Sequence, residues 1–475
     1  LANAPPFRQP WPGNGPDIWV GQFVTFTHAR DAKPCYCPKK PRIVEKEDIA
    51  RELPKGSLLI EFQRYKPVNI NQDLLSKELP PARYVAMVLD PSKKELDDSG
   101  RITNYKILLV DLGLAEPLEQ KIKEALIASE QGLKDAEFKW KKIGELIIQP
   151  LASATEGSRT WFISPDGELN SIPFAALGGP NGDDDLLGEQ LQLRLLTTGR
   201  ELLDLKMKNK SVSNVSLVVA NPLFDQQKNT LSDSIQRVTS FDLKSYQRRS
   251  LDMDTFKWKS LPGTAIEGKI IANKIDATLL VEENATAQAI IDTSTPKILH
   301  IASHSYYLEN QKKNINRTNY PDQFQLIAKS ENPLLRSGIV LAGANQPDTN
   351  NLDDGYLTAL EMIKLDWGTT EMVVVSGCDS GRGEVQTGES FYGLKRAIAV
   401  AGARSSFLSL WKVDDQATAA FMESFYVKLK NGASRADALT ATQKEFREHI
   451  NQDWRHPYVW AAFQLSGDWR PIEGL

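Results

Sequence analysis

The sequence is poor in cysteine, with three in 475 residues. Cys35 and Cys37 form a Cys-X-Cys pair, and Cys378 stands alone. This number cannot build a disulfide framework and is typical of a reducing compartment, so we expect a cytoplasmic protein. Zinc would need further thiolates or imidazoles beside the pair, and only His28 is near. We therefore interpret the pair as part of a surface loop and expect neither a metal nor a cofactor.

The chain also lacks a long apolar run and an excess of basic residues. No stretch approaches the roughly 20 apolar residues that a membrane-spanning helix needs. The beginning, Leu1 to Pro6, has neither an initiator Met nor a charged segment before an apolar core, so we interpret the chain as trimmed and without a signal peptide. The net charge of -4 gives no indication of the concentrated basic face that nucleic-acid binding favours. We therefore expect no membrane partner and no nucleic-acid partner.

Repeats and nucleotide-binding motifs are missing as well. No helical repeat of about 34 residues is visible, and neither GxGxxG nor a GK[ST] ending is present. A nucleotide-binding regulator therefore ranks as a distant alternative. A length of 475 residues predicts two to three domains. The hydrophobic fraction of 41% with 25% charged residues is typical of a soluble globular protein.

The first half of the chain changes character at Ser57. Residues 1–56 are rich in proline and predict an extension lying on the surface. Three short apolar runs follow and predict a strand meander: Ser57–Phe62, Tyr84–Leu89 and Tyr105–Val110. Between Pro117 and Ile148 the apolar residues recur at helical spacing, which predicts one or two amphipathic helices covering that sheet.

The second half alternates between strand and helix patterns. Predicted strands include 215–220, 277–281, 298–304, 338–342, 372–376, 405–411 and 460–465, with helices at 264–274, 286–292, 357–363, 389–400, 416–429 and 434–450. This alternation predicts α/β winding with a parallel sheet. The polar segment Asp225 to Lys259 is weakly periodic and predicts a long loop of the functional or mobile kind.

Two reactive side chains follow two of these strands. His304 ends the run Ile298–His304, and Cys378 ends the run Met372–Cys378. In a parallel sheet the carboxyl ends of the strands share one edge, where ligands bind, so the two residues can be neighbours in space. An imidazole with a pKa of about 6.5 accepts a proton at neutral pH, and a thiol needs such a base to become a thiolate. The pattern predicts a Cys-His dyad for nucleophilic attack on a carbonyl.

Simpler interpretations of these residues remain open. A lone histidine is by default structural, and a free cysteine is often a small buried hydrophobe. His300 lies on the same strand face as His304 but inside the apolar run, which favours a core position. A metal site built from His300, His304 and Cys378 lacks the short ligand spacings of zinc sites. The backbone N–H groups of Ser305 and Cys378 are the candidates for an oxyanion hole.

An ordered series of motifs resembles the CHAT domain family, the caspase-like, separase-related peptidases of the cyanobacterial HetF type. The motifs are Leu299–His304, Asp354–Thr358, Val374–Gly381, Gly388–Glu389, Gly393–Ala397, Ala401–Ala403 and Ser409–Asp415, with Ser164–Leu169, Ile172–Leu177 and Asn221–Pro222 upstream. The resemblance covers roughly residues 57 to 470. As an ordered series it is far more specific than any one of the motifs.

The resemblance implies an α/β fold with a caspase-like sheet and helices on both faces. It implies a degenerate, pseudo-caspase half at 57–210 and a peptidase domain at 211–475, in which His304 is the base and Cys378 the nucleophile of a cysteine endopeptidase. The family's usual glycine after the catalytic histidine is Ser305 here. That departure restricts the backbone φ angle and weakens the oxyanion assignment.

The resemblance leaves specificity and partners open. Asp379, Asp414 and Asp415 lie where caspase-like folds shape the pocket for the residue before the cut, and an acidic pocket would favour Arg or Lys. An Asp in the position of Asp415 is also a common helix N-cap. The expected partner is a protein substrate or regulator, and cleavage near Arg248-Arg249 would be a means of regulation. The rival interpretation is an inactive caspase-like interaction module.

Overall fold

The computed structural model describes residues 43–67, 80–99, 102–182, 185–207, 215–225, 256–293, 295–308, 332–346, 354–377, 383–384 and 392–475. The Cys35/Cys37 pair, Arg248-Arg249, Cys378 and Asp379 lie outside these residues. In the described ranges no helix has the length and apolar character that crossing a membrane requires.

The strands are, in chain order, β1 Ser57–Tyr65, β2 Arg83–Leu96, β3 Ile102–Leu114, β4 Thr160–Ser164, β5 Gln192–Leu195, β6 Ser216–Pro222, β7 Ala277–Glu282, β8 Ile298–Ala302, β9 Ser305–Tyr307, β10 Ser337–Val340, β11 Tyr356–Thr358, β12 Met372–Val375, β13 Gly383–Glu384, β14 Tyr392–Gly393, β15 Ser405–Ser409 and β16 Phe463–Gly467. The helices are α1 Lys46–Glu52, α2 Ala115–Glu130, α3 Ala136–Ile147, α4 Ala152–Thr155, α5 Leu187–Gln190, α6 Glu201–Met207, α7 Pro262–Ile275, α8 Ala287–Asp292, α9 Ala359–Met362, α10 Leu394–Ala401, α11 Asp415–Lys430, α12 Arg435–Arg447 and α13 Pro457–Trp460.

One eleven-stranded sheet organises the described chain, in the order β3-β2-β1-β4-β5-β16-β15-β12-β8-β6-β7. Neighbouring strands within this sheet are parallel, except that β2 is antiparallel to β1 and β3, and β16 is antiparallel to β15. Strand β12 is Met372-Val373-Val374-Val375, buried on both faces, as expected for a parallel strand covered from two sides. The predicted α/β class is confirmed.

Helices pack on both faces of this sheet. On one face, Val374 and Phe407 belong to a core that includes residues of α7, α11 and α12. On the other face, Val373 and Val375 pack with residues of α8, α9 and α10. Alternate residues of β12 thus enter different cores, which follows from the two-residue period of a strand.

The first five strands form the remainder of the sheet. The predicted meander corresponds to the antiparallel ladder of β1, β2 and β3, and α2 and α3 fill the interval predicted to be helical. The last strand, β16, lies between β5 and β15, so it joins the N-terminal strands to the C-terminal ones. The division at residues 57–210 and 211–475 stays a prediction, and residues 208–214 are outside the described ranges.

Two local predictions are wrong. The apolar run Gly338–Ala342 was expected in the wound sheet, but its residues form β10 in a separate antiparallel sheet with β9 and β11. Strand β9 begins three residues after the end of β8, and β10 pairs antiparallel with β9 and with β11 rather than with a strand of the large sheet. The closing strand begins at Phe463, because Pro457–Trp460 forms a helical turn instead.

Candidate active site

Three adjacent parallel strands place their carboxyl ends at one edge of the sheet. Val375 of β12 pairs with Ile301 of β8 on one side and with Leu408 of β15 on the other. His304 follows β8, Gly377 follows β12 and Lys412 follows β15. The fold therefore brings together the strand ends that the sequence analysis singled out.

Gly377 lies in contact with the loop that carries His304. A Cβ on Gly377 would overlap the carbonyl oxygen of Ser303 and lie 3.1 Å from the backbone nitrogen of Ser305. The Ser409 hydroxyl donates a hydrogen bond to the Gly377 carbonyl from the other side. The preceding N–H, of Ser376, donates to the Ile301 carbonyl at 3.1 Å. Only a residue without a side chain fits between these groups.

The His304 ring is held by a backbone carbonyl. Its Nε2 lies 2.8 Å from the carbonyl oxygen of Lys259. A carbonyl can only accept, so Nε2 must carry the hydrogen. In the neutral ring, Nδ1 is then the nitrogen that accepts a proton.

Aromatic side chains flank the same imidazole. The Trp258 ring centroid is 5.2 Å from that of His304, and the Phe224 centroid is 5.4 Å away. Burial is the largest cause that lowers the pKa of His304 below its ordinary value. The hydrogen bond to Lys259 opposes this effect. The net effect keeps the ring neutral, and thus able to act as a base, at neutral pH.

Two charged residues after β15 act on His304 with opposite signs. The exposed Lys412 lowers the pKa of His304, and the carboxylate of Asp415 raises it. Asp415 lies against the first turn of α7, where a Cβ on Gly263 would be 2.8 Å from its Oδ2. Burial, and then the charge of Asp414, raise the pKa of Asp415.

Asp414 and Asp415 have different local roles. Asp414 is the N-cap of α11, and its side chain accepts from the backbone N–H groups of Gln416 and Ala417 at 3.0 and 3.1 Å. The sequence analysis placed the N-cap at Asp415, so that placement is corrected by one residue. Asp415 is the first residue of the helix.

Ser305 occupies an ordinary strand position. It is the first residue of β9 and pairs with Ile339 of β10. Ser305 is not among the residues with positive φ. A serine side chain is therefore accommodated where the resemblance led us to expect glycine, and the Ser305 backbone nitrogen would lie 3.1 Å from a Cβ on Gly377.

His300 is fully buried and engaged at both ring nitrogens. Nε2 lies 3.0 Å from a carboxylate oxygen of Glu267 on α7, and Nδ1 lies 3.1 Å from the Tyr426 hydroxyl on α11. The structure thus places His300 in the core behind the site. Within the described residues no group of three or more His, Cys, Asp or Glu is arranged to hold a metal ion.

Several residues of this site were missed by the sequence analysis. They are Lys259, whose backbone carbonyl holds the ring, the flanking Phe224 and Trp258, the neighbouring Lys412, and Asn345, which binds Trp258. The available signal was the position of Trp258 and Lys259 at the end of the polar segment predicted to be a long loop of the functional or mobile kind. Cys378 and Asp379 follow Gly377 outside the described residues, and their roles stay predictions.

A family model matches most of the chain. The model described as CHAT domain matches residues 139–468. In the curated proteins, the human Tetratricopeptide repeat protein 28 is 25% identical over 308 residues, which are 64% of this chain and 12% of that protein. The mouse protein of the same name is 26% identical over 316 residues, with the same coverage. The chain thus spans about an eighth of the length of these relatives.

Solved structures with a similar fold were also found. The separase-securin complex of Saccharomyces cerevisiae aligns with a TM-score of 0.48 at 9% identity, covering 89% of this chain and 31% of that chain. The Arg specific cysteine proteinase gingipain R aligns with a TM-score of 0.40 at 8% identity, covering 75% of this chain and 76% of that chain.

Proposed function

Because the chain belongs to the CHAT domain family, whose model matches more than half of it, we propose that it is a cysteine endopeptidase that cleaves a protein partner. The observation that carries the proposal is the contact of Gly377 with Ser303 and Ser305. Gly377 immediately precedes Cys378, and these two serines flank His304. This contact between the two chain segments therefore supports a dyad of Cys378 with His304.

The proposed reaction begins with proton transfer from the Cys378 thiol to Nδ1 of His304. The thiolate then attacks the scissile carbonyl carbon, and the N–H groups of Ser305 and Cys378 stabilise the oxyanion. As the C–N bond breaks, the imidazolium gives its proton to the departing amine, which leaves a thioester on Cys378. His304 then takes a proton from water, the hydroxide releases the peptide acid, and the thiol is restored.

The geometry of His304 supports this division of roles. Its Nε2 donates to the Lys259 carbonyl, so the ring keeps one orientation while Nδ1 takes and returns protons. The same carbonyl stabilises the imidazolium formed during the reaction. The lowered pKa favours the return of the proton to the leaving amine.

Cleavage after Arg or Lys is the finer part of the proposal. Asp415 supports it best, since its half-buried carboxylate is close enough to influence His304. Asp414 is already engaged as an N-cap, and Asp379 rests on the sequence alone. A substrate guanidinium near Asp415 would form charge-assisted hydrogen bonds. Fluorogenic peptides ending in Arg or Lys should be hydrolysed, and cleavage only after acidic or apolar residues would dispose of this preference.

The experiment for the function compares the wild type with Cys378→Ala and His304→Ala on a library of peptide substrates. The proposal expects hydrolysis by the wild type and its loss in both variants, with unchanged thermal unfolding. A folded wild type that binds protein partners without cleaving any substrate would favour the interaction module instead. Fragments that accumulate equally in wild type and Cys378→Ala would exclude self-cleavage near Arg248-Arg249.

A further inference from the structure

Asn345 holds the chain segment that covers His304. Its side-chain Nδ2 donates to the Trp258 carbonyl at 2.9 Å, and its Oδ1 accepts from the Trp258 N–H at 2.8 Å. The Asn345 side chain thus pairs with both the backbone N–H and the backbone carbonyl of Trp258, as a neighbouring β-strand would. The Lys257 ammonium adds a bond to the Asn345 carbonyl at 2.9 Å.

The same amide also holds a second segment. Nδ2 donates to Oδ1 of Asp225 at 2.9 Å, and the backbone N–H of Asn345 donates to the Phe224 carbonyl at 3.0 Å. Asn345 is 7% exposed, so these bonds are shielded from water. Asn345 therefore joins residues 224–225 to residues 257–258, which are separated by about thirty residues of sequence.

Both segments held by Asn345 contact the imidazole. Trp258 and Phe224 flank the His304 ring, and Lys259, the next residue after Trp258, supplies the carbonyl that accepts from Nε2. Displacement of Trp258 would therefore move the hydrogen-bond partner of the ring and its aromatic cover together.

We propose that Asn345 is a positioning residue for His304: its amide fixes residues 257–259 and residues 224–225 against the imidazole, so that the ring's orientation depends on this amide. The proposal rests on the proposed function in treating His304 as the base. The described contacts that carry it are those of Asn345 with residues 224–225 and 257–258. Its failure can therefore be separated from the failure of the peptidase assignment.

Two substitutions test the amide specifically. Asn345→Ala removes all three side-chain hydrogen bonds. Asn345→Asp keeps the volume and the acceptor, but loses the donors and sets a second carboxylate against Asp225. Asn170→Ala is the matched control, because Asn170 is also a buried amide that donates to two backbone carbonyls, those of Pro165 and Gly167 at 3.2 Å, and its Oδ1 accepts from Lys395 rather than from the segments on His304.

The first measurement is the titration of the His304 ring by NMR, with its signal identified from a His304→Ala spectrum. Burial is the main cause of the lowered pKa, with Lys412 acting in the same direction and the Lys259 carbonyl and Asp415 opposing. Asn345→Ala and Asn345→Asp should therefore raise the His304 pKa toward 6.5, and Asn170→Ala should not. An unchanged titration in both Asn345 variants would overturn the proposal.

The second measurement is kinetic. Misplacing a catalytic group by about 1 Å can cost about 100-fold in rate, so both Asn345 variants should lower kcat by about that factor with little change in KM. Trp258→Ala combined with Asn345→Ala should lower kcat no further than either change alone, because both act on one segment. Fully additive losses would contradict the route through Trp258.

The titration and the kinetic measurement together separate the positioning role from the peptidase function. If no variant, including the wild type, hydrolyses peptides while the titration still follows Asn345, the positioning role stands and the peptidase function fails.

Discussion

Gly377 is packed so closely against the Ser303 carbonyl that a methyl group on Gly377 would overlap the oxygen. Gly377 comes immediately before Cys378, and Ser303 comes immediately before His304. The two loops that carry the proposed base and nucleophile therefore meet at a contact that leaves no room for a side chain. This contact limits how far apart the two loops can lie.

Gly377→Ala should separate the two loops. The overlap is with backbone, which cannot swing aside as the end of a flexible side chain could. If the two loops move apart by about 1 Å, kcat/KM should fall by about 100-fold. The measurement is peptide hydrolysis by the purified variant, together with its thermal unfolding.

Gly368→Ala is the control for this change. A Cβ there would meet only Oδ1 of Asp366, at 3.1 Å, which is the end of a side chain. Activity should remain within about twofold, since surface substitutions of this kind have small effects. Full activity in Gly377→Ala would show that the contact does not set the geometry of the site.

Substitutions at Lys412 and Asp415 should move the acid limb of the pH profile in opposite directions. Lys412 lowers the pKa of His304, so Lys412→Gln should raise it and shift the loss of kcat/KM to higher pH. Asp415 raises the same pKa, so Asp415→Asn should shift the loss to lower pH. Each profile is measured from pH 4 to 9 with one neutral substrate.

Lys142→Gln serves as the charge control, because Lys142 pairs with Glu145 on the exposed surface of α3. Its pH profile should match that of the wild type. Movement of the acid limb in the same direction for Lys412→Gln and Asp415→Asn would refute the electrostatic assignment around His304.

Asp414 should matter for stability more than for substrate preference. Its side chain caps α11, so Asp414→Ala should destabilise the fold by about 1 kcal/mol, while Asp414→Asn should retain most of the capping. Urea unfolding measures both. The ratio of kcat/KM for Arg-ending and neutral substrates should be unchanged in Asp414→Asn, and a collapse of that ratio would assign Asp414 to the substrate pocket.

A buried charge cluster at the opposite edge of the sheet predicts a large loss of stability. Asp468 is 1% exposed, and its carboxylate forms ion pairs with Arg404 at 2.7 Å, Arg470 at 2.8 Å and Arg435 at 3.5 Å. Glu371 also pairs with Arg404 and Arg435. Asp468→Asn would leave the three cations with one buried carboxylate fewer, at a cost of about 3–5 kcal/mol. Asp111→Asn, which breaks a more exposed pair with Arg83, should cost at most about 1 kcal/mol in the same urea unfolding experiment.

The pH dependence of that contribution has a definite sign. Burial alone would raise the pKa of Asp468, but the hydrogen bond from Arg470 and the charge of Arg435 hold it well below its usual range. A depressed carboxyl pKa contributes stability that is present above the unfolded value of about 3.9 and is lost as pH falls through the folded value. Wild type and Asp468→Asn should differ at pH 6 and converge in acid, and an equal difference at every pH would contradict this assignment.

The strand ends of the site were predictable because each has a local signature. The run before His304 and the run before Gly377 are apolar, β-branched and followed by small residues, and they became adjacent parallel strands. The carboxyl-edge rule for parallel strands then places both loops together without further information.

The partners of His304 could not be predicted, since they depend on distant pairings. Lys259 lies 45 residues before His304, and it contributes a backbone carbonyl, which any residue type would supply. Asn345 looks like an ordinary polar residue after a strand until Trp258 is placed against it. The position of β16 between β5 and β15 could not be predicted from local periodicity either, because an apolar strand pattern does not specify which other strands it pairs with.

The most direct measurement is covalent labelling with a peptidyl acyloxymethyl ketone, followed by peptide mapping by mass spectrometry. The proposed dyad predicts an adduct on Cys378 in the wild type and its loss in His304→Ala, with Cys35 and Cys37 unlabelled in both. Absence of a Cys378 adduct in the folded wild type, or equal labelling in His304→Ala, would contradict the assignment of this edge of the sheet as a cysteine peptidase site.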